Sequence, residues 1–347
     1  MFRRLRAATR TPRKLPGFCR LHATKAAELL RRGRIRQAAG YLGEVLTERN
    51  VYYDRLARKH GGHLLEREVR GSRMYLRPAE AGLSRTLLAY GVHEHCSTVA
   101  FERELRRLRA TTDGEVIALD IGANIGYFSL LIARVLGPRA RIYAVEPDPD
   151  NLALLELNVE SNGYADRIEI ERCAVGGTVD RAELRRHDQS NRHMVIADPD
   201  APSAAATARR ADASADDSVS VPQVTVERFL EDRVIAPEAV GVVRMDFEGY
   251  EAEVFAGMKR VLAAAGPTLV HIEIHPRYLT DESIGTITAL LETNGFEIAS
   301  AVASEGRYSV YERQRWHGVP LDLDGFDELR SLLLETNQYV ELIAQKR

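Results

Sequence analysis

A chain of 347 residues that is 45% hydrophobic is long enough to form one large α/β domain and a smaller appendage. Its 48 basic and 50 acidic residues give a net charge of −2, which provides no overall attraction to nucleic acid or to anionic membranes. The three cysteines, Cys19, Cys96 and Cys173, form no C-x-x-C pair, and this argues against a disulfide framework or a structural zinc site.

The N-terminal sequence favours a cytoplasmic protein without stable membrane insertion. Residues 1–20 are basic but are not followed by an apolar h-region, so they do not resemble a secretory signal, and we expect a disordered basic tail. No stretch approaches the roughly 18 apolar residues that a membrane span needs. Unpaired, scattered cysteines suit the reducing cytosol.

Residues 21–112 are predicted to form an N-terminal cap of helices with one β-hairpin. Apolar residues recur at helical spacing between 21 and 60. LLEREV and SRMYLR alternate on either side of Arg70 and Gly71, as the two strands of a hairpin do. A further helix is predicted near 93–109. Its apolar side is formed by Phe101, Leu105 and Leu108.

From 113 to 320 short apolar strands alternate with helices. Strands are predicted at 115–120, 141–146, 167–175, 240–248, 267–275, 296–302 and 307–314. Helices are predicted at 128–136, 149–163 and 250–264, and a further helix follows the strand at 267–275 and ends at about 294. Such alternation is typical of parallel βαβ units, so we predict a doubly wound, mostly parallel seven-stranded sheet with helices on both faces. Residues 198–222, which are small and polar, are interpreted as a flexible insertion.

Residues 321–347 are predicted to form a C-terminal helix. Its apolar side would bury against the sheet or against the second subunit of a homodimer. The residues of that side are Leu329, Leu332, Leu333, Tyr339 and Leu342.

The stretch LDIGANIGYFS places Asp120 at the carboxyl end of the first main-domain strand, with Gly122 and Gly126 in the turn that follows. Ligands of doubly wound sheets bind beyond the carboxyl ends of the strands, where glycine lets the backbone approach them. The dinucleotide fingerprint would need glycine at position 124, where the chain has Asn124. Asp120 would also repel a pyrophosphate, whereas it would attract a cationic amino group.

The residues at two further strand ends narrow the choice of ligand class. Glu146 ends the second of these strands, where a carboxylate accepts hydrogen bonds from the hydroxyls of a ribose. A ligand with a ribose, a positive amino-acid tail and no phosphate fits S-adenosylmethionine better than NAD. Cys173 and Ala174, at the end of the third strand, would lie beside the adenine, with Cys173 as a small buried hydrophobe.

Three stretches, LDIGANIGYFS, VEPDPDNLALLELNV and RMDFEGYEAEVFAGM, occur in an order that resembles the FkbM family of S-adenosylmethionine-dependent methyltransferases. The resemblance covers roughly residues 70–300 and implies a Rossmann-like class I methyltransferase fold and O-methylation, often of a sugar or natural-product hydroxyl. By position it implies that the cofactor is held by Asp120, Gly122, Ala123, Asn124, Gly126 and Glu146. Where the family commonly has lysine, this chain has Arg244, which keeps the charge but excludes a deprotonable lysine.

The stretch MDFEGYEAEVF carries four acids at the end of the fourth strand. Methyl transfer from a sulfonium is an in-line displacement, in which the enzyme aligns a nucleophile and removes its proton. We predict Asp246, as an unpaired carboxylate facing a ligand crevice, together with Glu248 and His275, as catalytic residues. Glu251 and Glu253 are predicted mainly to begin a helix, whose dipole favours negative charge there.

Alternative functions stay open at this point. Asp246, Glu248, Glu273 and His275 would suit a divalent metal ion, but their spacing is not diagnostic, and we predict no metal. The leading hypothesis is O-methylation of a hydroxyl on a sugar, a glycan or glycolipid precursor, or a secondary metabolite. A dinucleotide-dependent oxidoreductase and a non-catalytic cofactor-binding protein are the alternatives.

Overall fold

The computed structural model describes residues 23, 26–47, 49–80, 82–186, 194–196, 218–247, 249–303 and 319–346. The chain divides into two compact units, with a boundary between Glu94 and His95. The predicted tail at 1–20, the catalytic candidate Glu248 and the predicted strand at 307–314 lie outside the described residues.

The first unit consists of helices and one hairpin. Its elements are α1 (Ile35–Thr47), α2 (Val51–His60), β1 (Leu65–Val69), β2 (Ser72–Leu76) and α3 (Leu83–Tyr90), preceded by a helical stretch at 26–31. Arg70 and Gly71 join the two strands with φ angles of 48° and 83°. Positive φ at both central residues gives the tight turn that matches the twist of paired strands. The predicted hairpin is confirmed.

The second unit contains a large mixed sheet and a smaller one. Its elements are α4 (His95–Thr111), β3 (Val116–Ile121), α5 (Tyr127–Leu136), β4 (Ala140–Val145), α6 (Pro149–Ser161), β5 (Ile168–Glu171), β6 (Ala174–Val175), β7 (Asp180–Arg185), β8 (Met194–Ile196), β9 (Ser218–Val224), α7 (Val226–Asp232), β10 (Val240–Met245), α8 (Glu251–Ala256), α9 (Lys259–Ala263), β11 (Thr268–Ile274), α10 (Asp281–Thr293), β12 (Glu297–Ala303), β13 (Val319–Leu321), α11 (Phe326–Thr336) and β14 (Val340–Lys346).

Among the described strands, the large sheet has the order β13-β12-β14-β11-β10-β3-β4-β5. The ladders from β11 through β10, β3 and β4 to β5 are parallel, whereas β14 pairs antiparallel with both β11 and β12. The predicted α/β architecture with a mostly parallel sheet is confirmed. Eight described strands form this sheet rather than the seven predicted: six of the predicted strands are present, β13 and β14 are additional, and the predicted strand at 307–314 lies outside the described residues.

The central strands are buried on both faces. Every residue of β3, β10 and β11 is buried, as continuous apolar runs predict for inner parallel strands. Leu119 and Ile121 pack into the main apolar cluster on one face of the sheet. On the opposite face, Asp120 contacts Ser129 of α5. Side chains alternate between the two faces of a sheet along a strand, so Asp120 can lie on the face opposite to Leu119 and Ile121.

The third predicted strand is wrong at its carboxyl end. Strand β5 stops at Glu171, and Ala174–Val175 pairs instead with β9 in a separate sheet of order β6-β9-β7-β8. Part of the predicted insertion 198–222 is also wrong, since Ser218–Val224 is a strand; residues 198–217 lie outside the described residues. Serine and valine alternate there and Val221 is buried, so a period-two pattern was concealed by polar composition.

The predicted C-terminal helix is correct only in its first part. Helix α11 ends at Thr336, and Asn337 closes it in the left-handed conformation with φ of 52°. Residues Val340–Lys346 then form β14 between β11 and β12, where a buried strand and not a helix completes the ladder. Leu329, Leu333 and Leu342 are 0% exposed within this chain, so they offer no surface to a second subunit.

Two predicted helices also differ from the structure. The helix expected at 250–264 is divided into α8 and α9, since Gly257 and Met258 leave the helical conformation between them. Helix α4, expected in the cap, belongs to the second unit. None of the described helices is both long enough and apolar enough to cross a bilayer.

Candidate active site

The glycine turn joins the carboxyl end of β3 to α5, and backbone hydrogen bonds hold it against β4. The amides of Gly122 and Ala123 donate to the carbonyl oxygen of Val145 at 2.9 and 3.0 Å. Gly126 precedes the first residue of α5 with φ of 89°. Glycine is required at 122, where φ is 80° and a Cβ atom would lie 2.5 Å from the carbonyl oxygen of Asp246. The turn therefore brings β3 into close backbone contact with the strand that precedes Asp246.

Glu146 follows β4 and links the glycine turn to the start of α6. Its Oε2 accepts a hydrogen bond from the Asn124 amide at 2.8 Å, and its Oε1 accepts from the Asp148 amide at 2.9 Å and the Asn151 side chain at 3.3 Å. Burial raises the pKa of Glu146 to about 7, although these hydrogen bonds oppose the rise. A carboxylate has about four acceptor positions, so a further donor can bind.

Asp120, Arg244 and Asp246 form a cluster of charges across β3 and β10. Asp120 is 0% exposed and accepts a hydrogen bond from Ser129 Oγ at 2.5 Å, while its Oδ1 lies 3.5 Å from Arg244 Nη1. Burial raises the pKa of Asp120, and the Arg244 guanidinium and the Ser129 hydroxyl oppose the rise. The predicted contact of Asp120 with a cationic amino group stays a prediction.

Asp246 is paired, so the expectation of an unpaired carboxylate is wrong. Its Oδ2 accepts a hydrogen bond from Arg244 Nη2 at 2.8 Å. Its side chain is nevertheless 19% exposed, whereas that of Arg244 is 4% exposed. Arg244 thus supplies the counter-charge from the interior and leaves part of the Asp246 carboxylate open at the strand end.

His275 follows β11 and lies between two carboxylates. Its Nδ1 is 2.7 Å from Glu251 Oε1, and its Nε2 is 3.3 Å from Glu273 Oε2. Glu251 Oε1 also accepts a hydrogen bond from the Gly249 amide at 3.3 Å, which marks Nδ1 as the donor in the short contact. The Tyr339 ring stacks on the imidazole with centroids 5.5 Å apart. These neighbours fix the orientation of the histidine ring.

Glu251 is the first residue of α8, as predicted, and it also makes a contact that the helix-start interpretation did not include. A helix start needs no burial, yet the Glu251 side chain is 0% exposed and is the partner of His275. Burial raises the pKa of Glu251, and the hydrogen bond and charge of His275 oppose the rise. Glu253 also lies in the first turn of α8, as predicted.

Cys173 and Ala174 lie where the chain passes from the large sheet to the small one. Cys173 is partly buried, and burial raises the pKa of its thiol to about 11, so the thiol is protonated at neutral pH. This agrees with a small hydrophobe. Ala174 is buried in β6. Their placement beside an adenine stays a prediction.

Two of the four residues considered as metal ligands lie close together in the structure. The described residues bring together His275 and Glu273, with 3.3 Å between Nε2 and Oε2. Asp246 is bonded to Arg244, whose guanidinium already provides a positive partner for the carboxylate. Glu248 lies outside the described residues. The absence of a metal stays a prediction.

Two residues of this arrangement were missed in the sequence. Ser129 lies three residues after Gly126, so it falls on the inner side of α5 one turn after the glycine turn. Glu251 is the last acid of the D-x-E-G-x-E stretch, and that fixed spacing was a signal that the helix-start interpretation set aside. No pattern in the sequence pointed to Ser129 as the donor for Asp120.

The chain is similar to several known methyltransferases. Residues 120–298, just over half of the chain, match the family model described as the methyltransferase FkbM domain. The chain is 33% identical over 103 residues to protein-L-isoaspartate O-methyltransferase of Aeropyrum pernix, which covers 30% of this chain and 36% of that protein. It is 30% identical over 82 residues to catechol O-methyltransferase of Sus scrofa, covering 24% of this chain and 44% of that protein.

A similar solved structure is the methyltransferase FkbM of Methylobacillus flagellatus KT, with 15% identity, a TM-score of 0.33, and coverage of 75% of this chain and 54% of that one. The chain spans less than half the length of the two curated relatives. The family match, by contrast, includes the glycine turn, Glu146, Asp246 and His275. The cofactor is S-adenosylmethionine, and the chain belongs to the family of methyltransferase FkbM domains.

Proposed function

We propose that the protein is an S-adenosylmethionine-dependent methyltransferase that methylates a hydroxyl oxygen. Membership of the FkbM family supports methyl transfer. One structural observation carries the proposal: Glu146, the glycine turn and Asp246 follow three adjacent strands, β4, β3 and β10, at their carboxyl ends. Ligands of doubly wound sheets bind at this edge.

The residues at this edge fit the groups of the cofactor. Gly122 and Gly126 expose the backbone of the turn, with Ala123 and Asn124 between them, so a ligand can approach main-chain atoms. Glu146 accepts a hydrogen bond from a ribose hydroxyl. Asp120 is 0% exposed, so in this proposal its charge acts on the amino-acid tail without direct contact, and Cys173 and Ala174 lie beside the adenine.

Asp246 is the proposed acceptor of the substrate proton. When bound, the cofactor would supply a methyl group activated by its sulfonium charge, and S-adenosylhomocysteine would be the leaving group. Asp246 orients the hydroxyl and takes its proton, which a weakly acidic sugar hydroxyl requires. Glu248 and His275 complete the proposed catalytic set. Because Glu251 holds Nδ1 of His275, a proton taken up by the ring would be carried on Nε2, which lies 3.3 Å from Oε2 of Glu273.

The acceptor is proposed to be a small molecule or glycan: a sugar, a glycan or glycolipid precursor, or a secondary metabolite. Two curated relatives are O-methyltransferases by name, whereas a third is a probable C(15)-methyltransferase by name, so only part of the matches supports an oxygen acceptor. The balanced charge of the chain gives no excess of basic residues for a nucleic acid. We also propose a cytoplasmic location, because the sequence has three widely spaced cysteines and no C-x-x-C pair.

Calorimetry with S-adenosylhomocysteine and with NADH tests the class of function. We expect binding of S-adenosylhomocysteine with a dissociation constant in the micromolar range and no binding of NADH. Protein that binds neither, or only NADH, contradicts the proposal. Incubation of extract fractions with the protein and methyl-labelled donor then shows whether glycans, lipids or small molecules accept the label.

Replacement of Asp246 tests the proposed proton acceptor. Once an acceptor is identified, Asp246→Asn should retain cofactor binding and lose about 100-fold or more in kcat, because general-base catalysis contributes this much. Asp232→Asn, at a 44% exposed aspartate of α7, is the matched control. Full turnover by Asp246→Asn would remove Asp246 from the catalytic set.

A further inference from the structure

Arg244 occupies the centre of a polar row that crosses the sheet. It pairs in register with Asp120 on β3 and with His271 on β11, so the three side chains point to the same face. Arg244 is 3% exposed, and its guanidinium carbon lies 4.2 Å from the centroid of the Phe128 ring. A stacked and buried guanidinium has little freedom to reorient.

The guanidinium divides its donors between the glycine turn and the methyl-side carboxylate. Nη1 donates to the carbonyl oxygen of Gly122 at 3.0 Å and lies 3.5 Å from Asp120. Nη2 donates to Asp246 at 2.8 Å. One rigid fork therefore fixes the distance between the turn that receives the cofactor and the carboxylate proposed to receive the acceptor. A lysine ammonium lacks this planar, divided set of donors.

The neighbour of Arg244 on β11 does not compete for these acids. His271 is 1% exposed, lies 4.6 Å from Phe101 between ring centroids, and contacts Ser97 Oγ through Nε2 at 2.9 Å. Burial, and then the charge of Arg244, lower its pKa well below the usual value, so the imidazole is neutral. Arg244 is consequently the cation that faces Asp120 and Asp246 in this row.

We infer that Arg244 is a positioning residue, which holds the Asp246 carboxylate toward the methyl position of the cofactor. This inference rests on the proposed function. Without Arg244, the Asp246 carboxylate would lose the hydrogen bond that joins it to the interior of the sheet, and the Gly122 carbonyl would lose its side-chain link to β10. A purely structural ion pair would affect folding but would not affect what the site recognises at the methyl position.

Sinefungin tests this inference without knowledge of the acceptor, because it carries a cationic amino group at the position of the transferred methyl. S-adenosylhomocysteine has no group there. The ratio of the two dissociation constants therefore reports how well a carboxylate faces the methyl position. We expect the wild-type protein to prefer sinefungin by about tenfold, since a charge-assisted hydrogen bond is worth about 1.5–3 kcal/mol and each 1.4 kcal/mol is tenfold.

The variants to compare are Arg244→Met, Arg244→Lys and Asp246→Asn. We expect the preference to fall close to one in Asp246→Asn and at least about threefold in Arg244→Met. Arg167→Met is the matched control, because Arg167 is also a largely buried arginine of this unit but donates to Gly137, away from Asp246. Its preference should equal that of the wild-type protein.

The outcomes separate the inference from the function on which it rests. Failure of the wild-type protein to bind S-adenosylhomocysteine overturns the proposed function, and the inference with it. Binding without a preference for sinefungin overturns only the inference. The inference is also overturned if the preference for sinefungin is the same in Arg244→Met as in the wild-type protein. It is overturned as well if that preference rises, because Asp246 without Arg244 would then attract the sinefungin amine more strongly. If Arg244→Met does not fold, Arg244→Lys decides by the same ratio.

Discussion

Nδ1 of His275 lies 2.7 Å from Oε1 of Glu251, and both side chains are buried. Removal of one partner from a buried pair leaves the other without its hydrogen bond, at a cost of about 3–5 kcal/mol. We therefore expect Glu251→Ala to lower the free energy of unfolding by about this amount, measured by urea denaturation. Glu251→Gln retains a carbonyl acceptor and should lose less.

Glu253→Ala is the control for Glu251→Ala. Both residues lie in the first turn of α8, but Glu253 is not fully buried. Glu253 is partly buried but is not the partner of His275, so Glu253→Ala should cost less than Glu251→Ala, and a loss of similar size in both variants would contradict the assigned role of Glu251.

Glu146 should make cofactor binding depend on pH. Its pKa in the free protein is about 7, and a ribose hydroxyl donates to the ionised carboxylate. Below pH 7 the carboxyl is protonated, so the dissociation constant of S-adenosylhomocysteine should increase as pH falls from 8 to 6, by at most about tenfold per unit. Calorimetry at three pH values measures this dependence.

Glu146→Gln should bind S-adenosylhomocysteine more weakly and without this pH dependence. Glu169→Gln, at a carboxylate that is 50% exposed on β5, should keep the wild-type profile. If Glu146→Gln keeps the same slope between pH 6 and 8, another group is responsible for it.

Gly122 and Gly163 separate backbone strain from a steric clash. Both have positive φ, at 80° and 66°, but a Cβ at Gly122 would lie 2.5 Å from the Asp246 carbonyl oxygen, whereas nothing lies within 4 Å at Gly163. Gly163→Ala should cost about 1–2 kcal/mol for the left-handed conformation alone. Gly122→Ala adds overpacking, for about 2–5 kcal/mol in total, and should also abolish cofactor binding. Equal losses in thermal unfolding would contradict the close approach at Gly122.

Ser129 should be needed to stabilise the Asp120 carboxylate. Ser129→Ala removes the donor at 2.5 Å from a side chain that is 0% exposed, which should cost about 1–3 kcal/mol. The Ser129 hydroxyl opposes the rise in the pKa of Asp120, so its removal raises that pKa further, and the loss should grow as pH rises above the ordinary carboxyl range, where the folded Asp120 ionises. Ser161→Ala, whose hydroxyl bonds only within α6 to Leu157, is the control for urea denaturation at pH 4 and pH 7.

Elements with a clear apolar pattern could be predicted from the sequence. Elements whose structure depends on which strand they pair with could not. Strand β3 and the turn to α5 follow from an apolar run and two glycines. Residues 340–346 are apolar enough for either a helix or a strand, and only the open ladder between β11 and β12 selects the strand. Likewise, nothing local shows that Ala174 leaves the large sheet for a partner in β9.

In the candidate site, likewise, some residues could be predicted from the sequence, whereas their contacts could not. Gly122, Glu146, Asp246 and His275 could be proposed because strand ends in a doubly wound sheet meet at one edge. The pairing of Asp246 with Arg244 depends on rotamers, and that of His275 with Glu251 depends on how α8 lies against β11. The spacing of these residues permits both contacts, but it does not select them over alternative partners, because the rotamers and the packing of α8 decide which contacts form.

The position of β14 has a consequence for how the protein is made. Strand β12 leaves the ribosome before β14, yet β14 is its neighbour in the sheet and separates it from β11. Until residues 340–346 have emerged, the nascent chain exposes the edge of β11 and leaves β12 without this ladder. These open strand edges are therefore the expected sites of aggregation of the nascent chain until this strand is inserted.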